Sequence, residues 1–222
     1  MLKTYRQKNY VERKPHAFRE SFARIGKTFL NVRKKKKIFL FLLAFFFYID
    51  GVYTIIDMAT AYGSALGLDS TGLLLALLVT QIVAFPCAIL FGRLARRFRT
   101  EHLITVCVVA YIGIALFACV LRTQTQFWIL AIFVGMFQGG IQALSRSYYA
   151  KIIPPEQSGE YFGLLDICGK GASFIGTAIV SVVSQLTGDI NKGVAMIVVL
   201  FVVGVVLFRI AVTCVQKNKI ES

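Results

Sequence analysis

The chain has 222 residues, 57% of them hydrophobic and 16% charged, with a mean hydropathy of +0.69. That is too apolar for a water-soluble domain of this length and excludes a soluble enzyme. Of the net charge of +14, residues 1–37 alone carry +11, and their last five residues, Arg33-Lys34-Lys35-Lys36-Lys37, abut Ile38-Phe39-Leu40-Phe41. A basic block set directly against an apolar run is a cytoplasmic flank of a membrane span, not a nucleic-acid-binding arm.

Within the basic segment Phe18, Phe22, Ile25, Phe29 and Val32 recur at steps of four and three, with Arg19, Arg24 and Lys27 on other faces. This predicts an amphipathic helix over about 17–32, after Pro15, lying along the inner membrane surface; a regulatory or lipid-sensing arm is the alternative. No short apolar segment with a small-residue cleavage site precedes it, so the first span is expected to serve as its own insertion signal. Six spans are predicted to follow, at about 38–62, 71–91, 102–121, 126–149, 159–186 and 192–214, which divides the chain into a basic cytoplasmic segment (1–37), a bundle (38–214) and a short tail (215–222). The first inter-span stretch, Gly63 to Ser70, has no Lys or Arg, whereas the second holds Arg93, Arg96, Arg97 and Arg99. That alternation continues along the chain and puts both termini in the cytoplasm. Cys87, Cys107, Cys119, Cys168 and Cys214 stand singly without CxxC spacing, so neither a metal site nor a disulfide framework is expected.

A polar side chain inside lipid must face protein or a water-filled cavity. Span one places Asp50, Tyr53, Thr54 and Asp57 at offsets of 0, 3, 4 and 7 on one face. Span four does the same with Gln138, Gln142, Ser145, Arg146 and Tyr149, and span five with Asp166, Lys170, Ser173, Thr177, Ser181 and Ser184. Span two is weaker, with Thr80 and Gln81 near Pro86, a residue able to interrupt the backbone ladder. Spans three and six are nearly all apolar and are expected at the lipid-facing periphery. At about 1.5 Å per residue, Asp50, Gln138 and Lys170 each lie roughly 17–18 Å from the inner end of their span, near the middle of a slab about 30 Å thick. Small-residue runs at Gly63–Gly67, Gly135–Gly139 and Cys168–Ser173 read as ordinary close helix packing.

Three segments carry a recognisable pattern. Tyr48-Ile49-Asp50-Gly51-Val52-Tyr53-Thr54-Ile55-Ile56, Phe137-Gln138-Gly139-Gly140-Ile141-Gln142-Ala143-Leu144-Ser145-Arg146-Ser147, and Ile153-Pro154-Pro155-Glu156 leading into Glu160-Tyr161-Phe162-Gly163 resemble the vacuole-effluxer family of the major facilitator superfamily, which includes autophagy-linked vacuolar amino-acid effluxers. The resemblance runs from about residue 38 to 214. It implies an all-α integral membrane fold of six transmembrane helices, one half of a major facilitator fold with a 3+3 inverted repeat, in which this chain corresponds to the carboxy-terminal half. It further implies that spans one, two, four and five line a translocation pathway. Gly92-Arg93-Leu94-Ala95-Arg96-Arg97-Phe98-Arg99 is similar to the superfamily's cytoplasmic gating loop, but has Arg96 where an acid is usual and Phe98 where glycine is usual, which puts a gating salt bridge from this loop in doubt.

On this reading the chain is expected to be half of a proton-coupled secondary transporter that exports a small solute, with amino acids implied by the resemblance. A non-transporting membrane scaffold or sensor, and a truncated inactive fragment, are the alternatives. Asp50 is the first candidate for proton coupling and Asp57 the second; their rival roles are a structural hydrogen bond to a neighbouring helix and contact with water at the outer mouth. Lys170 is expected to neutralise Asp50 or bind a substrate carboxylate, or else to pair privately with Asp166. Gln138, Gln142 and Tyr53 are candidate solute ligands, Gln81 a weaker one, and Tyr48, Tyr53 and Phe137 candidate apolar walls. Arg146 is expected to form a gate with Asp166 or Glu160, or to snorkel, and Arg209 to snorkel. His16 and His102 lie outside the central band, so a proton relay through histidine, hydrolytic catalysis and a zinc site are not expected, nor is any cofactor. The expected partners are the lipid bilayer, a small-molecule substrate and an opposing amino-terminal six-helix bundle, with a second copy of the chain as the lesser alternative. The expected location is a cell inner membrane, or a vacuolar membrane in a eukaryote.

Overall fold

The computed structural model describes residues 32–33 and 35–220, with side chains up to residue 214. The amphipathic helix expected over about 17–32 therefore lies almost wholly outside the described residues; Val32 alone is seen, helical and buried.

Among the described residues, six helices long and apolar enough to cross a membrane follow one another: α1 (Lys36–Ala65), α2 (Ser70–Leu94), α3 (Thr100–Cys119), α4 (Gln124–Ile152), α5 (Ser158–Thr187) and α6 (Ile190–Ile220). Local chemistry sets their ends. Asp69 caps α2 by accepting the Gly72 N–H at 2.7 Å. Thr123 and Gln126 close a reciprocal capping box at the start of α4, satisfying backbone donors that lipid would leave orphaned. α4 stops at Ile152 because Ile153 is extended before Pro154, and a Pro155–Gln157 turn of 3-10 helix leads into α5. α5 ends on Gly188 at a left-handed φ of 65°. Pro86 does not break α2, which runs unbroken through it.

α1 is the pivot, packing along α5 on one side and α6 on the other, while α4 packs along α2 and α3. Exchanging the first three helices with the last three maps the α2–α4 contact onto α1–α5, the α3–α4 contact onto α1–α6 and the α3–α6 contact onto itself, whereas the α5–α6 contact has no counterpart of similar extent between α2 and α3. The ends show that the exchange inverts direction. Tyr62, late in α1, puts its hydroxyl 2.7 Å from Asn191 Oδ1 and 2.5 Å from the Ala118 carbonyl; Lys151, late in α4, donates to Thr100 Oγ1 at the opposite end of α3, 2.9 Å away. This is the 3+3 inverted arrangement of one half of a major facilitator fold.

Close approach is built into the α2–α4 contact. A Cβ on Gly135 would stand 2.6 Å from the Thr80 carbonyl oxygen, and one on Gly139 would stand 2.6 Å from that of Ala84, so the Gly135–Gly139 pair lets the backbones touch. Between the sheets of helix contact lies an aromatic core. Phe41 packs its ring 5.5 Å from Tyr149, 5.2 Å from Tyr148 and 6.1 Å from Phe208, while Tyr111 stacks on Phe201 at 5.4 Å. α3 and α6 bury one face against α4 and α1, and expose Val106, Val109 and Leu116, and Val199, Val202 and Val206, on the other. α2 and α5 bury the least, with apolar rows Leu74, Leu78, Ile82 and Phe85, and Ile167, Phe174, Val182 and Leu186, left open.

Candidate functional site

The polar stripes of α1, α4 and α5 do not all converge on one point; they divide between a crevice and a buried contact. The crevice is open on one side, has a volume of about 90 Å³, and is lined by Tyr53 of α1, by Gln142 and Arg146 of α4, and by Asp166 and Lys170 of α5, with Phe45, Leu165 and Gly169 as its apolar and open walls. Five of the nine residues expected at a site thus meet, and they come from three helices. Helix spacing explains it: Gln142 and Arg146, like Asp166 and Lys170, are one turn apart, so each helix gives two consecutive polar side chains to the same cleft.

Arg146 Nη2 lies 2.6 Å from Asp166 Oδ1, with both side chains about half exposed. Asp166 therefore gives this oxygen to Arg146 across two helices rather than to Lys170 one turn along its own. No carboxylate among the described residues lies within ion-pairing distance of Lys170. The crevice holds one acid and two bases, and its uncompensated charge is the Lys170 ammonium, beside the Gln142 amide and the Tyr53 hydroxyl.

Asp50 is elsewhere. Its carboxyl is fully enclosed between α1 and α5, where Oδ1 accepts the Gly176 backbone N–H at 2.9 Å. Oδ2 and the neighbouring Thr54 hydroxyl are also buried, and neither has a hydrogen-bond partner of good geometry among the described residues. The approach depends on a glycine: a Cβ at residue 176 would stand 2.8 Å from Asp50 Oδ1 and would overlap Thr54 Oγ1. Asp50 and Lys170 do not neutralise one another. Sequence spacing placed Asp50 on the right face but could not name its partner, because Gly176 carries no side chain to mark it.

The other candidates occupy separate places. Asp57 is exposed further along α1, Glu160 does not line the crevice, and Gln138 is half-buried with an enclosed, unpartnered Oε1. Of the aromatic walls expected, only Tyr53 serves. Tyr48 is fully buried with its hydroxyl 2.7 Å from Ser145 Oγ, and Ser145 passes its own hydrogen to the Ile141 carbonyl. Phe137 packs against Phe91 at 6.0 Å. Phe45, two turns before Tyr53 on α1, is the wall that residue-type reasoning passed over. A second cavity, between Thr54, Tyr62, Leu77, Thr80 and Val134, is apolar: Thr80 spends its hydroxyl on Ala76 and Ala131, and Tyr62 spends its own at the helix ends.

A family model described as vacuole effluxer Atg22 like matches residues 1–221. The chain belongs to this family. It is a family of membrane transporters and not of enzymes, and membership makes the six helices a multi-pass integral membrane bundle. An uncharacterized MFS-type transporter, YxiO of Bacillus subtilis, is 46% identical over 207 residues, which cover 93% of this chain and 48% of the relative. Autophagy-related protein 22 of Cryptococcus neoformans is 30% identical over 223 aligned residues, covering 91% of this chain and 39% of the relative. The chain thus spans less than half the length of either curated relative.

Proposed function

We propose that the chain is the carboxy-terminal six-helix half of a secondary active transporter, proton-coupled, that exports a small solute such as an amino acid, with both termini cytoplasmic. The opposing bundle corresponds to the part of its relatives that it does not span, and alternating access rocks the two bundles about a solute held between them. The observation that carries the reading is the crevice shared by α1, α4 and α5, with Lys170 uncompensated beside Gln142, Tyr53 and the Arg146–Asp166 pair.

A zwitterion needs a cation for its carboxylate and an anion for its ammonium. Lys170 serves the first and Asp166 the second, the latter sharing its carboxylate with Arg146. Tyr53 and Gln142 orient the solute through hydrogen bonds, and Phe45 and Leu165 meet its apolar part. Arg146 and Asp166 belong to a gate, because the pair ties α4 to α5 and must be loosened when the solute claims the aspartate. Asp50, held at the α1–α5 contact, carries the proton.

The test is transport of labelled amino acids into proteoliposomes holding the complete transporter. Losing one hydrogen bond to a charged group costs about 1.5–3 kcal/mol, so Lys170→Gln is expected to raise KM by about tenfold or more, with Lys170→Arg nearer the parent. An unchanged KM in Lys170→Gln rejects Lys170 as the carboxylate ligand.

A further inference from the structure

The α2–α3 turn lies apart from the crevice. α2 ends at Leu94 and α3 begins at Thr100, so both helices leave the bilayer here and the turn sits at the membrane surface. Its backbone is held rather than loose: the N–H groups of Arg97 and Phe98 both donate to the Leu94 carbonyl, at 3.0 and 2.9 Å, and that of Arg96 donates to Arg93 at 3.1 Å. With the backbone spent on itself, the turn displays its side chains, and Arg93, Arg96, Arg97, Phe98 and Arg99 are all exposed. Arg99 has Glu101 at 3.9 Å. Arg93, Arg96 and Arg97 have no carboxylate within ion-pairing distance among the described residues. Lys151 adds its charge nearby through its bond to Thr100.

Phe98 stands 59% exposed amid these cations, an aromatic ring where headgroups meet acyl chains. Within the adjoining turns of α2 and α3, apolar side chains are exposed as well. Leu90, one turn before Arg93 on α2, is 54% exposed; Val106 and Val109, about two turns into α3, are 55% and 54% exposed. Guanidinium groups that match a phosphate in fork geometry, above a strip that accepts hydrocarbon, form the two halves of a phospholipid site.

We propose that the α2–α3 turn binds an anionic phospholipid, its phosphate held by Arg93, Arg96 and Arg97, its acyl chains lying along Leu90, Val106 and Val109, and Phe98 inserted at the headgroup boundary. The three guanidinium groups supply the preference for negative lipid, and the ring fixes the depth of the turn.

Because residues 1–37 are also strongly basic, the test reads the turn itself. The chain's one tryptophan, Trp128 on α4, is replaced by phenylalanine and Phe98→Trp introduced, and the full chain is reconstituted in vesicles of phosphatidylcholine doped with phosphatidylglycerol or phosphatidylcholine brominated near the headgroup end of the acyl chain. Quenching is expected to be about threefold stronger with brominated phosphatidylglycerol. The preference is expected to persist when inorganic phosphate is added, to vanish in Arg93→Gln/Arg96→Gln/Arg97→Gln, and to survive the corresponding triple lysine variant, which keeps the charge. Equal quenching by the two lipids, abolition by free phosphate, or a preference retained in the glutamine variant overturns the proposal.

Discussion

An acid inside a membrane span faces protein or water, and Asp50 faces protein. One oxygen is engaged by the Gly176 N–H and the other is enclosed without a partner of good geometry among the described residues, which leaves the group free to change its proton inventory without breaking its hold on α5. Asp50→Asn keeps the accepting oxygen and loses the proton site. In the complete transporter it is expected to abolish accumulation driven by a proton gradient, to about background, while solute exchange without a gradient continues; proton-driven accumulation equal to the parent's rejects the coupling role. What could be seen of Asp50 in advance was its face and its depth. Its neighbour could not be seen, since Gly176 is 126 residues away along the chain and enters only as a backbone donor. The crevice was more legible because Gln142, Arg146, Asp166 and Lys170 announce themselves by type and spacing.

Helices were the most legible level. Apolar length fixed each span to within a few residues, and the extensions observed follow from chemistry that hydropathy does not register: the capping box that starts α4 at Gln124 and the Ile153–Pro154 step that lets it run to Ile152. Which helix packs on which was not written in the stripes, because an apolar face suits lipid and protein equally. Of the small-residue runs, Gly135–Gly139 marks a close backbone contact, whereas a Cβ on Gly67 or Gly171 would meet nothing within 4 Å. Gly139→Val places a branched side chain against the Ala84 carbonyl, an overpacking expected to cost about 1–3 kcal/mol and to lower the thermal midpoint of the purified chain; an unchanged midpoint contradicts the close α2–α4 contact. The α4–α5 tie behaves differently. A half-exposed ion pair is worth about 0.2–1 kcal/mol, so Arg146→Asp or Asp166→Arg is expected to leave thermal stability nearly untouched while stopping transport. The double variant, which swaps the charges, is expected to restore transport in part. Failure of the swap together with unaffected single variants removes the pair from the gate.

At the scale of the molecule, the chain covers 48% and 39% of the two relatives and leaves the apolar rows of α2 and α5 open. These rows are the surfaces expected to meet the opposing bundle. Phe174→Arg, at a side chain 76% exposed, is expected to leave the six-helix fold intact but to reduce co-purification with a co-expressed amino-terminal bundle severalfold; unchanged co-purification assigns that row to lipid.

Tyr53, Gln142, Arg146, Asp166 and Lys170 are proposed to surround a water-filled, solute-binding crevice within the membrane. In a background lacking Cys87, Cys107, Cys119, Cys168 and Cys214, a single Tyr53→Cys tests it directly in the complete transporter. Membrane-impermeant maleimide is predicted to label residue 53 from the aqueous phase, and a transported amino acid to slow that labelling. A cysteine that resists the aqueous reagent, or that reacts at the same rate whatever solute is present, rules out a solute-binding crevice at residue 53.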